Sequence, residues 1–170
     1  TAGKYEYEIQ STKNASVGSR VGLFVEPDGI HVMIAEDHTN VFYADINRDF
    51  RLEYNGQKIE TSVTKIITGS HRLEDGSLVD AQGDVIDLNR TRIRVEIQPE
   101  DIEMTDEQDA GLVQGNISNL IYQGDHYSYV IQTDLEQDFV VYDEDLWNMG
   151  DRVSLIMPLD KMKFVYDRKK

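Results

Sequence analysis

The chain contains no cysteine among its 170 residues. Disulfides, thiolate metal sites and cysteine nucleophiles are therefore excluded, in keeping with a reducing compartment. Basic residues are scarce as well. Seventeen Lys and Arg stand against 32 Asp and Glu, a net charge of −15. Binding to a phosphate backbone needs clustered cations, so no nucleic acid partner is expected. An acidic surface serves solubility and can attract cationic ligands. No apolar run approaches the ~20 residues of a membrane helix, so no direct membrane insertion is expected. No signal peptide opens the chain. Thr1 is not a natural start and Tyr5–Ile9 is already strand-like, so the chain reads as a piece of a longer protein.

Proline is nearly absent too, and its three copies are informative. Each closes a similar strand: Arg20–Pro27 (RVGLFVEP), Arg92–Pro99 (RIRVEIQP) and Arg152–Pro158 (RVSLIMP). Proline has no amide donor, so it ends a central strand. The third proline sits one residue closer to its arginine, so the repeat is degenerate. A second similarity links Gly3–Ile9 (GKYEYEI) with His126–Ile131 (HYSYVI).

Period-2 alternation dominates, best seen in Arg92–Gln98, and gives strands with one wet and one dry face. Nine tyrosines, five phenylalanines and many Val and Ile favour sheet. Asn55-Gly56 between two alternating runs predicts a hairpin. Asp75-Gly76 predicts a second, and Gly83, Gly124 and Gly150 mark further turns. No sustained 3.6-residue stripe is present. One or two short helical turns are expected, at Glu144–Trp147 or around Pro99–Ile102. The fold expected is all-β, with OB-like barrel units in two related halves. The boundaries expected are a first partial unit over 1–38, a connecting β-hairpin region over 39–90 and a more complete unit over 91–170.

Constellations for bond-making chemistry are missing. His31, His38, His71 and His126 have no metal-spaced partner, and read as solvated or strand-surface histidines. Asp45-x-Asn47-x-Asp49 begins like a calcium loop, but Phe50 and Gly56 stand where that loop needs glycine and glutamate. The acidic runs Asp134–Asp138 and Asp143–Asp145 read as solvated loops able to collect cations. There is no G-x-S-x-G elbow and no G-x-x-x-x-G-K-[ST] phosphate loop. No catalytic residue, cofactor site or metal site is therefore assigned. Tyr5, Tyr7, Tyr122, Tyr127 and Tyr129 read as cross-strand packing before ligand stacking. The single tryptophan, Trp147, reads as a plug between strands.

The stretch Gly111–Val130 (GLVQGNISNLIYQGDHYSYV) resembles the transport-associated OB (TOBE) unit, the regulatory C-terminal region of many ABC importer ATPase subunits. Val95–Ile102 (VEIQPEDI) is similar to that family's strand-Arg-Pro-Glu signature, with Gln98 in place of the arginine. Gly150–Phe164 resembles its closing strand. Residues 1–37 are similar to the end of spermidine/putrescine-type importer ATPases. The family-motif positions carried over are Pro27, Asp28, Pro99, Glu100, Asp101, Gly115, Tyr122, Gly124, Tyr127 and Pro158. The resemblance implies a non-catalytic regulatory and dimerisation region. Its parent would be cytoplasmic at the inner face of the plasma membrane, a homodimer working with membrane-embedded permease subunits. ATP and Mg are expected only for an ATPase domain outside this chain. The alternative is a stand-alone OB-like module binding a small cationic or oxyanion ligand.

Overall fold

A computed structural model describes residues 38–166, all within one compact unit spanning Glu36–Lys170. The expectations placed on Pro27, Asp28, Tyr5, Tyr7 and His31 lie outside the described residues.

The described region is built from strands, as the alternating patterns predict. The strands are β1 (Asn40–Ile46), β2 (Arg51–Tyr54), β3 (Gln57–Ser62), β4 (His71–Arg72), β5 (Leu78–Val79) and β6 (Arg92–Ile97). They continue with β7 (Glu103–Thr105), β8 (Val113–Tyr122), β9 (Tyr127–Thr133), β10 (Asp138–Asp143), β11 (Arg152–Ile156) and β12 (Lys163–Val165). One five-stranded sheet runs β12-β6-β1-β2-β3 and a second runs β10-β9-β8-β11-β7. A small hairpin pairs β4 with β5.

Alternation sets which face is buried. Along β1, Asn40, Phe42, Ala44 and Ile46 point inward and the residues between them outward. Phe42 lies opposite Val95 and Ala44 opposite Ile93, so two dry faces meet in register. Burying each such large apolar side chain contributes roughly 1.5–3 kcal/mol. Asn55 and Gly56 turn β2 into β3 with φ of 48° and 82°. Two adjacent positive φ values mark the tight turn that Asn-Gly favours, because its twist matches the strands.

The proline strands follow one path twice. β6 leaves the first sheet, turns at buried Pro99 through a 3₁₀ turn (Pro99–Asp101), and enters the second sheet as β7 beside β11. β11 leaves the second sheet, turns at Pro158 through a 3₁₀ turn (Leu159–Lys161), and enters the first sheet as β12 beside β6. Each sheet thus borrows an arm from the other. Lys161 and Asp101 join the two corners with an ion pair of 3.0 Å.

Two sequence expectations are corrected. Glu144–Trp147 forms no helical turn, because hydrogen bonds to other segments hold it as an irregular loop. A short helix, α1 (Val63–Ile66), appears where none was expected, with Val63 buried. The calcium-like start runs from the end of β1, which holds Asp45, into the turn at Asn47–Asp49. The Asn47 Oδ1 accepts from the amides of Asp49 (2.9 Å) and Arg51 (3.0 Å).

Candidate functional site

At one end of the second sheet an acidic, aromatic cleft opens. Four separate segments build it. The first 3₁₀ turn brings Glu100, and β7 brings Glu103 and Met104. The turn before β9 brings Asp125 and His126. The end of β10 and the following loop bring Tyr142, Asp143, Glu144 and Asp145. The cleft has two lobes, of about 430 and 460 Å³, which share Glu100, Tyr142, Asp143 and Glu144.

Strand pairing explains the aromatic floor. His126 immediately precedes β9 and stands two residues before Ser128, the spacing that returns to one face of a strand. Ser128 stands opposite Tyr142 on β10. The His126 and Tyr142 rings lie 4.6 Å apart. Ser128 is 2% exposed, and its Oγ has no hydrogen-bond partner among the described residues. His126 Nδ1 lies 2.6 Å from Asp125 Oδ1.

The wall of the cleft is pinned from the core. Buried Tyr129 donates its hydroxyl to the Asp145 carbonyl at 2.8 Å, and the same oxygen accepts the Trp147 amide at 3.0 Å. Burial raises the pKa of that phenol above the ordinary tyrosine value, and the charges of Asp143 and Asp145 add to the rise. It therefore stays a neutral donor through the physiological range. Asp143 accepts from the Asp145 amide (2.9 Å) with one oxygen and from the Trp147 indole (3.3 Å) with the other. Trp147, in the loop after β10, is half-buried and packs against the core.

Among the described residues no group of three or more His, Asp or Glu is placed to hold a metal ion. The cleft's carboxylates are spread over four segments. Such a wall can hold a positively charged group over an aromatic floor. It repels anions.

The motif positions are distributed. Of the motif positions among the described residues, Glu100 alone enters the cleft. Asp101 pairs with Lys161, and Pro99 and Pro158 form the two corners. Gly115 lies under β9, where a Cβ would stand 2.5 Å from the Gln132 carbonyl oxygen. Tyr122 and Tyr127 pack at 4.9 Å beside the turn at Gly124. Sequence reasoning noticed the Asp143–Asp145 run and His126 separately. It had no signal that Asp125, Tyr142 and Glu103 would join them.

Comparison with known proteins connects these features to a family. Residues 95–163 match the model of the TOBE domain. The chain is 27% identical over 163 residues to the spermidine/putrescine import ATP-binding protein PotA of Bacteroides thetaiotaomicron, covering 96% of this chain and 31% of the relative. It is equally 27% identical over 162 residues to the protein of the same name from Bacteroides fragilis, covering 95% and 31%. The chain thus spans about a third of the length of these curated relatives. The resemblance drawn from the motifs is borne out, and so is the all-β, OB-like class.

Proposed function

With a TOBE domain over residues 95–163, we propose that this chain is the non-catalytic regulatory and dimerisation region of the ATP-binding subunit of an ABC importer, of the spermidine/putrescine type. The observation that carries this reading is the coverage. Nearly the whole chain aligns with proteins named as import ATP-binding proteins, yet it accounts for 31% of their length. The rest of such a parent would supply ATP hydrolysis, with ATP and Mg bound there. It would work at the cytoplasmic face of the membrane as a homodimer beside permease subunits.

The fold supports a mechanical role. Two sheets that exchange arms and share one core form a rigid body, suited to fixing subunit separation while ATPase domains open and close. A ligand or partner could bias that cycle only by binding one state more tightly than the other. The test is ATP hydrolysis by the full-length protein, by this chain alone and by the parent lacking it. Hydrolysis retained without this chain but uncoupled from transport supports the reading. Hydrolysis by the isolated chain, or a native reading frame without a phosphate loop, overturns it.

The cleft favours a second reading, in which the region senses a small ligand. Glu100, Glu103, Asp125, Asp143, Glu144 and Asp145 around Tyr142 suit a cation and disfavour an oxyanion. Calorimetry with spermidine, putrescine and molybdate or sulfate separates the two ligand classes. Heat with the oxyanions and none with the polyamines would reverse this assignment.

A further inference from the structure

The geometry points to Asn55 as a site of spontaneous backbone modification, where conversion to isoaspartate releases the edge strand β3. Asn55-Gly56 is the one Asn-Gly pair in the chain. Both residues are exposed at the tip of the β2–β3 hairpin. The Gly56 amide donates no hydrogen bond among the described residues, and the Asn55 carboxamide makes none there either. By contrast, the carboxamides of Asn40, Asn47, Asn116 and Asn148 are each engaged. Asn89 and Asn119 are followed by arginine and leucine, whose side chains shield the next amide. Around Gly56, no atom of the described residues beyond its two chain neighbours lies within 4 Å of where a Cβ would stand. The nucleophile therefore belongs to an exposed residue and is held by no hydrogen bond among the described residues, and the electrophile is uncommitted.

The step balances without any redox partner. The Gly56 amide nitrogen attacks Asn55 Cγ. The nitrogen–Cγ bond forms, the Cγ–Nδ2 bond breaks, and Nδ2 leaves as ammonia carrying the amide proton. Water then opens the five-membered imide. Attack at Cγ gives aspartate. Attack at the main-chain carbonyl gives isoaspartate, with the chain continuing through the side chain.

The consequence follows from the turn. Isoaspartate inserts one carbon into a two-residue loop whose register holds Tyr54 opposite Gln57. A tight hairpin does not absorb that length. In the first sheet β3 is an edge strand with β2 as its sole strand neighbour. Its residues Gln57–Glu60 also line a cleft of about 290 Å³ against Leu112, Met157 and Met162. Loosening β3 opens that cleft. Because each conversion is irreversible under these conditions, it records the age of the molecule.

The experiment incubates the whole chain at mildly alkaline pH and follows the tryptic peptide Leu52–Lys58 by mass spectrometry and chromatography. The expected result is amide-to-acid conversion at Asn55 in two chromatographic forms, at a rate within about tenfold of the urea-unfolded chain, because loop tips open at little free-energy cost. Hydrogen exchange on the isolated isoaspartyl form is expected to show lost protection over Gln57–Ser62. Asn55→Gln, which slows imide closure by lengthening the side chain, is expected to suppress both changes. Folded-state conversion more than about tenfold slower than unfolded, or faster conversion at another asparagine, overturns the site. Unchanged protection of β3 overturns the consequence.

Discussion

The Asn40 carboxamide lies across the backbone of Val140 and satisfies it twice: Nδ2 donates to the Val140 carbonyl at 2.8 Å, and the Val140 amide donates to Oδ1 at 2.8 Å. Val140 sits on β10, an edge of the second sheet, while Asn40 begins β1 of the first. One side chain therefore stands in for a strand partner and stitches the sheets together. Gln137 extends the seam, accepting from the Tyr54 hydroxyl and donating to the Val41 carbonyl, each at 2.8 Å. Below it Phe42 meets Tyr54 at 4.6 Å and Phe139 at 5.9 Å.

Asn40→Leu should therefore be costly despite a similar volume. It leaves a buried amide and a buried carbonyl unpaired, a loss of about 2–4 kcal/mol. Asn40→Asp should be no better near neutral pH, since it sets a carboxylate against the Val140 carbonyl. Urea unfolding is the measurement. A midpoint unchanged in both variants would show that the seam is held elsewhere.

Gly115 makes a different demand. A Cβ there would stand 2.5 Å from the Gln132 carbonyl oxygen and 2.8 Å from the Thr133 Cα. Both are backbone atoms, so relief requires β9 to move away from β8. Gly115→Ala is expected to destabilise by about 1–3 kcal/mol. Exchange protection across β9 should fall with it. Normal protection there would mean that the strands part without cost.

How far the sequence speaks can be judged from these same residues. Asn55-Gly56 and Asp75-Gly76 announce their hairpins because turn chemistry is local. The proline corners are legible for the same reason. Nothing local shows that β6 and β7, separated by Pro99, belong to different sheets. Nor does it show that Asn40 reaches Val140, one hundred residues away. The cleft suffers likewise, because Glu100, Asp125 and Tyr142 come from separate segments. The Glu144–Trp147 loop misleads for a tertiary reason: hydrogen bonds from Tyr129 override any helical tendency.

Acid should act on two surface ion pairs, Asp134–Arg152, with both side chains about half exposed, and Glu96–Lys163, in which Glu96 is mostly covered and Lys163 is exposed. Hydrogen bonding to Arg152 lowers the Asp134 pKa, and hydrogen bonding to Lys163 lowers that of Glu96. A carboxylate whose folded pKa is depressed contributes stability above its unfolded pKa and loses it as pH falls through the folded value. The contribution of these pairs should therefore be intact above about pH 5 and fade below about pH 4. Solvent at Asp134, Arg152 and Lys163 keeps each contribution small and sensitive to salt. Acid also relieves repulsion in a chain of net charge −15, so the useful quantity is the difference between the protein and Arg152→Gln. Thermal midpoints from pH 7 to pH 2.5 should differ at the upper end and converge at the lower. A constant difference would assign Arg152 a packing role, through Gln108 and Asn116, which its guanidinium also contacts.

The cleft offers the sharpest functional prediction. If a cation settles between Glu100 and Glu144 over the Tyr142 ring, neutralising exposed carboxylates should weaken binding without unfolding the protein. Glu100→Gln and Glu144→Gln fit that purpose, since neither carboxylate makes an ion pair among the described residues. Each should reduce diamine affinity about three- to tenfold, the range for one partly screened charge. Raising salt should reduce the affinity of the unaltered protein in the same direction. Trp147 gives an internal probe, because its indole donates to Asp143, which lines both lobes. Its fluorescence should change on titration with a diamine and should not respond to an oxyanion. If both variants bind the diamine as the parent chain does, the ligand lies elsewhere, and the carboxylates serve solubility alone.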